Sequence, residues 1–84
     1  MEKPHKGTIV GTRLDYDPEI TKLYGNNLGY LIRGRFVDHP DFGGFVGHTS
    51  LIIKKGRWSK KDEHGMRKCE VETLNSRYTW REAA

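Results

Sequence analysis

One cysteine, Cys69, is the only thiol in this chain of 84 residues. An internal disulfide is therefore impossible and a cysteine-rich zinc site is excluded, so two staples that small domains often use are closed to it. A lone thiol fits a reducing compartment such as the cytoplasm. No run of about 18 apolar residues occurs, so no membrane-spanning helix is predicted. The opening residues Met1-Glu2-Lys3-Pro4-His5-Lys6 lack the apolar stretch of a secretory leader, and a cytosolic location is expected. Internal repeats and low-complexity tracts are missing as well.

The motifs of common catalysts are also missing. The glycines form neither a phosphate-cradling Walker loop nor a dinucleotide fingerprint, and no serine stands in a nucleophile elbow. Cys69 falls on an apolar strand face beside Val71, where a thiol is ordinarily inert packing. A chain this short hides only about 60% of the surface that its unfolded form exposes, which leaves little volume for a deep reaction pocket. The expectation is a single non-catalytic domain over residues 1–84, flexible at 1–5, needing no cofactor. Its thin core would gain from a homodimer.

What the chain does have is positive charge and strand-forming runs. Fifteen Lys and Arg against eleven Asp and Glu give a net charge of +4 and a pI near 9.4. That balance favours acidic partners, nucleic acid among them, but the surface is mixed in sign. Short β-rich runs separated by Gly, Pro, Asn and Asp predict strands over 6–13, 29–37, 49–54, 67–74 and 77–81. Gly7 and Gly11 allow a bend or bulge in the first. In the second, Tyr30, Ile32, Gly34 and Phe36 share one face, and Leu31, Arg33, Arg35 and Val37 the other. Cys69, Val71 and Thr73 alternate with Glu70 and Glu72; Tyr78 and Trp80 share a face beyond a tight turn at Asn75-Ser76. Asp17-Pro18-Glu19 reads as an N-cap, a proline at the first helical position and an early acid. Ile20, Leu23 and Tyr24 then predict a short helix packed over one end of the sheet, ending by Gly25. The predicted class is mostly β: a five-stranded antiparallel barrel-like sheet, SH3-like or OB-like, with one short helix. An open sheet completed by a second subunit is the rival.

Three constellations are candidates for chemistry. Lys54, Lys55, Arg57, Trp58, Lys60 and Lys61, with Arg67 and Lys68, cluster around one predicted hairpin loop. Cations neutralise phosphates and an indole stacks on a base, so the segment has the parts of a nucleic-acid groove; the plain alternative is a solvated loop with Trp58 folded back onto the barrel. Arg33 and Arg35 on the outward face of the second strand make an aliphatic and guanidinium stripe suited to a protein or dimer contact, or the Arg stems merely cover apolar surface. The stretch 38–48 holds Asp38, His39, Asp41 and His48, which raises a metal site or a small metal-dependent hydrolase using His39 and His48. Its spacing matches no established ligand motif, however. A turn fixed by Pro40 and released by Gly43-Gly44 explains it more economically, with Phe42 and Phe45 plugging one end of the core.

Asp38-His39-Pro40-Asp41-Phe42, Thr49-Ser50-Leu51-Ile52 and the run from Val71 to Tyr78 resemble short β-rich accessory proteins encoded by bacteriophages and prophages. The likeness covers roughly the C-terminal half. It implies a phage product that antagonises host defence in the bacterial cytoplasm by binding a host protein, a protein–nucleic acid complex, a nucleic acid or a signalling nucleotide. It brings no catalytic residues with it. Direct nucleic-acid or nucleotide binding through the basic loop is the alternative reading.

Overall fold

The computed structural model describes residues 3–23 and 25–83. The alternation of apolar and polar residues becomes strands β1 (His5–Asp15), β2 (Tyr30–Val37), β3 (Val46–His48), β4 (Lys54–Lys55), β5 (Met66–Glu72) and β6 (Arg77–Ala83), with helix α1 (Pro18–Leu23) after β1. They form one six-stranded sheet in the order β3-β2-β1-β6-β5-β4. Neighbours pair antiparallel except β1 and β6, which run parallel. No helix among the described residues is long and apolar enough to cross a membrane.

The β-rich class with one short helix is as expected, but the five-stranded antiparallel barrel is not what forms. The sheet has six strands, one parallel pair, and edges β3 and β4 that do not pair with each other, so it stays open. The reason lies in the segment expected as a strand over 49–54. Its Thr49 and Ile52 N–H groups donate to the β2 carbonyls of Ile32 and Tyr30, and then Ile53 and Gly56 donate to Glu72 and Glu70 of β5. The chain thus crosses from one edge of the sheet to the other on single hydrogen bonds, with no ladder to complete a barrel. Ile52 and Thr49 are nevertheless buried by that crossing.

Register sorts the side chains. Phe36, Ile9, Trp80 and Cys69 are successive partners across β2, β1, β6 and β5, and all four are buried. Two residues along β1 from Ile9, Gly11 faces Gly34. A Cβ on Gly34 would stand 2.1 Å from the Val10 carbonyl oxygen and one on Gly11 2.0 Å from that of Arg33, so only two glycines permit this close approach. The bulge anticipated at Gly7 is present: its φ is 95°, at the register shift between His5 and Thr8. Trp80 Nε1 donates to the Gly11 carbonyl at 2.9 Å, pinning β6 across the glycine pair. The tight turn expected at Asn75-Ser76 falls one residue earlier, at Leu74-Asn75, closed by the Thr73 N–H and hydroxyl on the Ser76 carbonyl.

Three packing expectations are corrected. Asp17 does cap the helix, its carboxylate accepting the Glu19 N–H at 2.8 Å, yet α1 buries no side chain, and Ile20 and Leu23 are exposed. Tyr24 lies outside the described residues. At six residues the helix is held by its cap and by Asn27 donating to the Thr21 carbonyl, rather than by packing. Leu31, expected in an exposed stripe, is buried, because the first three residues of β2 are covered on both faces and the alternation begins only at Arg33. Phe42 and Phe45 do not plug the core, being 53% and 67% exposed; His39 does so instead. Its ring lies 5.2 Å from Phe36 and 4.8 Å from Phe42, and its Nδ1 accepts the N–H groups of Asp41 and Phe42. The imidazole thus serves as a local cap for the turn that Pro40 opens.

Burial pushes the Cys69 thiol and the Tyr30 and Tyr78 hydroxyls above their ordinary pKa values. The folded state therefore holds protons that the unfolded chain releases. Stability from these groups is full below the unfolded values, about 8.5 for a thiol and 10 for a phenol, and is lost as pH rises through the folded ones. The melting temperature is expected to fall through the alkaline range, and to fall less steeply near the thiol value in Cys69→Val. Equal slopes for the two proteins would show that the thiol plays no part.

Candidate functional site

A strand alternates its two faces, so each core row has a neighbour row on the other side of the sheet. Beside the row of Phe36, Ile9, Trp80 and Cys69 runs the row Arg35, Val10, Arg81 and Lys68, with Val46 next to Arg35 at the β3 edge. Arg33 follows in the next register, between Thr12 and His48. With strands about 4.8 Å apart, Arg35 and Lys68 stand about 14 Å apart with Arg81 between them. Arg33, Arg35 and Lys68 are exposed, and their side chains form no ion pair or hydrogen bond with another described residue. Arg81 reaches Asp62 at 3.4 Å. Glu70 and Glu72 are the carboxylates among these strands' outward described residues; Glu70 is occupied by the Thr79 hydroxyl at 2.7 Å and by His5 at 3.3 Å, and Glu72 by the Lys3 ammonium at 3.4 Å.

The basic loop divides between the two faces. Trp58 packs against Trp80 with ring centroids 4.5 Å apart, and its ring is covered by the Arg67 guanidinium at 4.1 Å and the Lys55 ammonium at 4.9 Å. Arg67 also holds Glu82 at 2.7 Å, and Lys55 donates to the Gly56 carbonyl. Those three side chains close a corner of the core, together with Arg13 stacked 4.4 Å over Tyr30. Lys54, Arg57, Lys60 and Lys61 stay exposed. The loop returns alongside β5, where the Ser59 N–H donates to the Lys68 carbonyl and the Lys68 N–H to the Ser59 hydroxyl. Lys60 is thereby brought to the same hollow as Lys68, Arg81, Thr8 and Thr79, a depression of about 580 Å³. Of the sequence candidates, Arg33, Arg35, Lys60 and Lys68 join the open face; Lys55, Trp58 and Arg67 form the aromatic corner, with Arg67 also bordering the hollow.

Asp62 orders the rim of that hollow. Its carboxylate accepts the N–H groups of Met66 and His64, at 2.9 and 2.8 Å, and these bonds, with His64 and Arg81 nearby, hold its pKa below the usual value. A lowered folded pKa stabilises the turn above the unfolded value near 3.9 and is lost as pH falls through the folded one. In Asp62→Ala, which removes the Oδ1 that accepts both N–H groups, faster amide hydrogen exchange at Met66 is the expected result, and unchanged exchange would remove Asp62 from this role.

At the β3 edge lies a larger groove, about 730 Å³, floored by Phe36 and Tyr78 and flanked by exposed Phe42, Phe45 and Val46. Asp41, His48 and Ser50 are the polar groups on its walls. The histidines weighed as metal ligands are committed to the main chain here: His39 Nδ1 accepts two N–H groups, and His48 Nδ1 lies 2.8 Å from the Thr49 carbonyl, to which it donates. Among the described residues no three His, Cys, Asp or Glu side chains gather at a point that would hold a metal.

No family model, no curated protein and no solved structure matches the chain. Its site is therefore read from its own residues. Sequence reasoning missed Arg81 as a surface partner of Arg35 and the groove beside β3. Parity was the available signal for the first: Arg35, Lys68 and Arg81 each adjoin a core residue, namely Phe36, Cys69 and Trp80. For the groove no pattern was available, because its walls come from the turn, β3 and β6.

Proposed function

We propose that this chain is a non-catalytic binding protein whose open sheet face takes the phosphate backbone of a nucleic acid. The observation that carries the reading is the row of Arg35, Arg81 and Lys68, with Arg33 beside it: cations on β2, β6 and β5 of one face, with Val10 of β1 between Arg35 and Arg81, three of the four without a carboxylate of their own. Threonine hydroxyls at positions 8 and 12 lie among them on the same face and are donors suited to phosphate oxygens. Guanidinium groups held on a sheet bind phosphate with less loss of side-chain freedom than cations on a loose tail.

The test is the affinity for a fluorescent oligonucleotide against salt. Contacts to several phosphates give a linear fall of log affinity with log salt, with a slope of about −0.7 to −0.9 per phosphate. A slope near zero would refute the backbone reading.

A second reading keeps the phage-type accessory protein of the sequence resemblance, which in the host cytoplasm binds and blocks a protein or a protein–nucleic acid complex. It is favoured by one observation, the short edge strand β3, which opens on exposed Val46 and is preceded by exposed Phe45, a surface of the kind that adds a partner's strand. A stoichiometric host protein recovered with the chain from bacterial lysate, and lost in Val46→Lys, would favour this reading; recovery of nucleic acid alone would set it aside.

A further inference from the structure

We infer that the groove beside β3 receives an unpaired nucleobase, so that the nucleic acid taken by the sheet face is single-stranded. This deepens the phosphate-binding reading and rests on it. The groove and the cationic face share a border. Val46 and His48 line the groove and are at the same time the register partners of Arg35 and Arg33. Facing residues in an antiparallel pair stand about 4.5–5.5 Å apart, so a phosphate held by either guanidinium lies within one nucleotide's reach of the groove.

The chemistry of the groove fits a base. Phe42 and Phe45 are more than half exposed, and Phe36 and Tyr78 form the floor, so flat aromatic surface is offered to a flat aromatic ligand. Asp41, His48 and Ser50 supply acceptors and donors at its edges, which is what the rim of a base can use. The other aromatic corner does not compete for this role, because Lys55 and Arg67 already cover the ring of Trp58. A duplex keeps its bases stacked inside and cannot offer one to a groove at a strand edge; an unpaired strand can. Stacking on a protein aromatic strengthens binding by about 5- to 150-fold per base, whichever base it is.

Three probes of equal length separate base from backbone: oligothymidylate, the abasic sugar-phosphate strand, and a hairpin duplex, each measured by fluorescence anisotropy at low salt. Tighter binding of oligothymidylate than of the abasic strand is expected, by about 5-fold or more. Phe45→Ala should remove that preference while leaving the abasic affinity unchanged, and Phe45→Tyr, which keeps a ring, should retain it. Arg35→Ala should weaken all three probes together. Phe45 is exposed, so these variants leave the core intact, which a melting curve checks. Equal binding of oligothymidylate and abasic strand would overturn the inference while leaving the sheet face standing. A Phe45→Ala loss shared equally by all probes would overturn it too. Absence of salt-dependent binding to any probe would bring down the sheet face and the groove together.

Discussion

Replacing Arg33 and Arg35 together with alanine should flatten the salt dependence of oligonucleotide binding while leaving the fold as stable as before. Each lost phosphate contact removes about 0.7 from the log–log slope on a single strand and about 0.9 on a duplex, so the double variant should lose about 1.4 or 1.8. The two halves of this expectation have separate physical grounds. Both guanidinium groups are exposed and make no ion pair or hydrogen bond with a described side chain or carbonyl, so their removal leaves no buried partner stranded. Exposed substitutions of that kind usually stay within about 0.5 kcal/mol. Arg67 is the informative contrast. It covers Trp58 and holds Glu82, so Arg67→Ala should destabilise the fold and affect binding only through that loss. Arg33→Glu with Arg35→Glu should go further than alanine, because two repelling charges replace two attracting ones. Lys22, paired with Glu19 on α1, is the matched control, and Lys22→Ala should change neither quantity. A double variant that keeps the full salt slope would move the phosphate contact off β2 altogether.

The two faces of the sheet were legible in the sequence wherever a strand alternates cleanly. Cys69, Val71 and Thr73 are buried and Glu70 exposed as period-two spacing requires, and Tyr78 and Trp80 both enter the core. Arg33 and Arg35 emerge on the opposite face for the same reason. The Asp17 cap and the Gly7 bulge were likewise readable, because both depend on residues a few positions apart. What could not be read was the pairing of distant strands. Nothing within β1 or β6 alone shows that they lie parallel, yet that pairing brings Arg81 within two strands of Arg35. The fate of residues 49–53 was hidden for a related reason. The run has the apolar content of a strand, but its N–H groups are divided between β2 and β5, a choice made by tertiary geometry. Clustering in sequence misled most at the basic loop. Adjacent lysines and arginines point to different faces once Ser59 docks on Lys68, and the indole that looked free to stack is covered by two of those same cations. Phe42 and Phe45 show the converse: a turn that looked like core filling leaves its rings outside, because His39 occupies the interior place.

Trp80→Ala is expected to unfold the protein under conditions where every surface variant above stays folded. Trp80 is 3% exposed and ties β6 to β1, β2 and β5. Its ring meets Tyr30 of β2 at 6.2 Å and Trp58 at 4.5 Å, its backbone pairs with Ile9 and Cys69, and its Nε1–H satisfies the Gly11 carbonyl. Truncating a buried tryptophan to alanine costs about 3–5 kcal/mol from lost burial and the cavity left behind. At roughly 0.05–0.15 kcal/mol per residue, a chain of 84 residues has about 4–13 kcal/mol in total, so one substitution consumes a large share. Trp80→Phe separates the two contributions. It keeps an aromatic ring but removes the donor to Gly11, and its cost should be nearer the 1–3 kcal/mol of an unsatisfied buried carbonyl. Trp58→Ala should fall between them, since that ring is only half buried but shields Trp80 and carries Arg67 and Lys55. Urea titrations followed by far-ultraviolet circular dichroism give all three. The ordering follows from the glycine pair: β1 and β2 approach too closely at Gly11 and Gly34 for side chains of their own, and the indole of β6 donates to the Gly11 carbonyl at that point. A Trp80→Ala protein with a midpoint close to the parent's would mean that the Gly11 carbonyl needs no indole donor, and that the parallel β1–β6 pairing is held by its main-chain ladder alone.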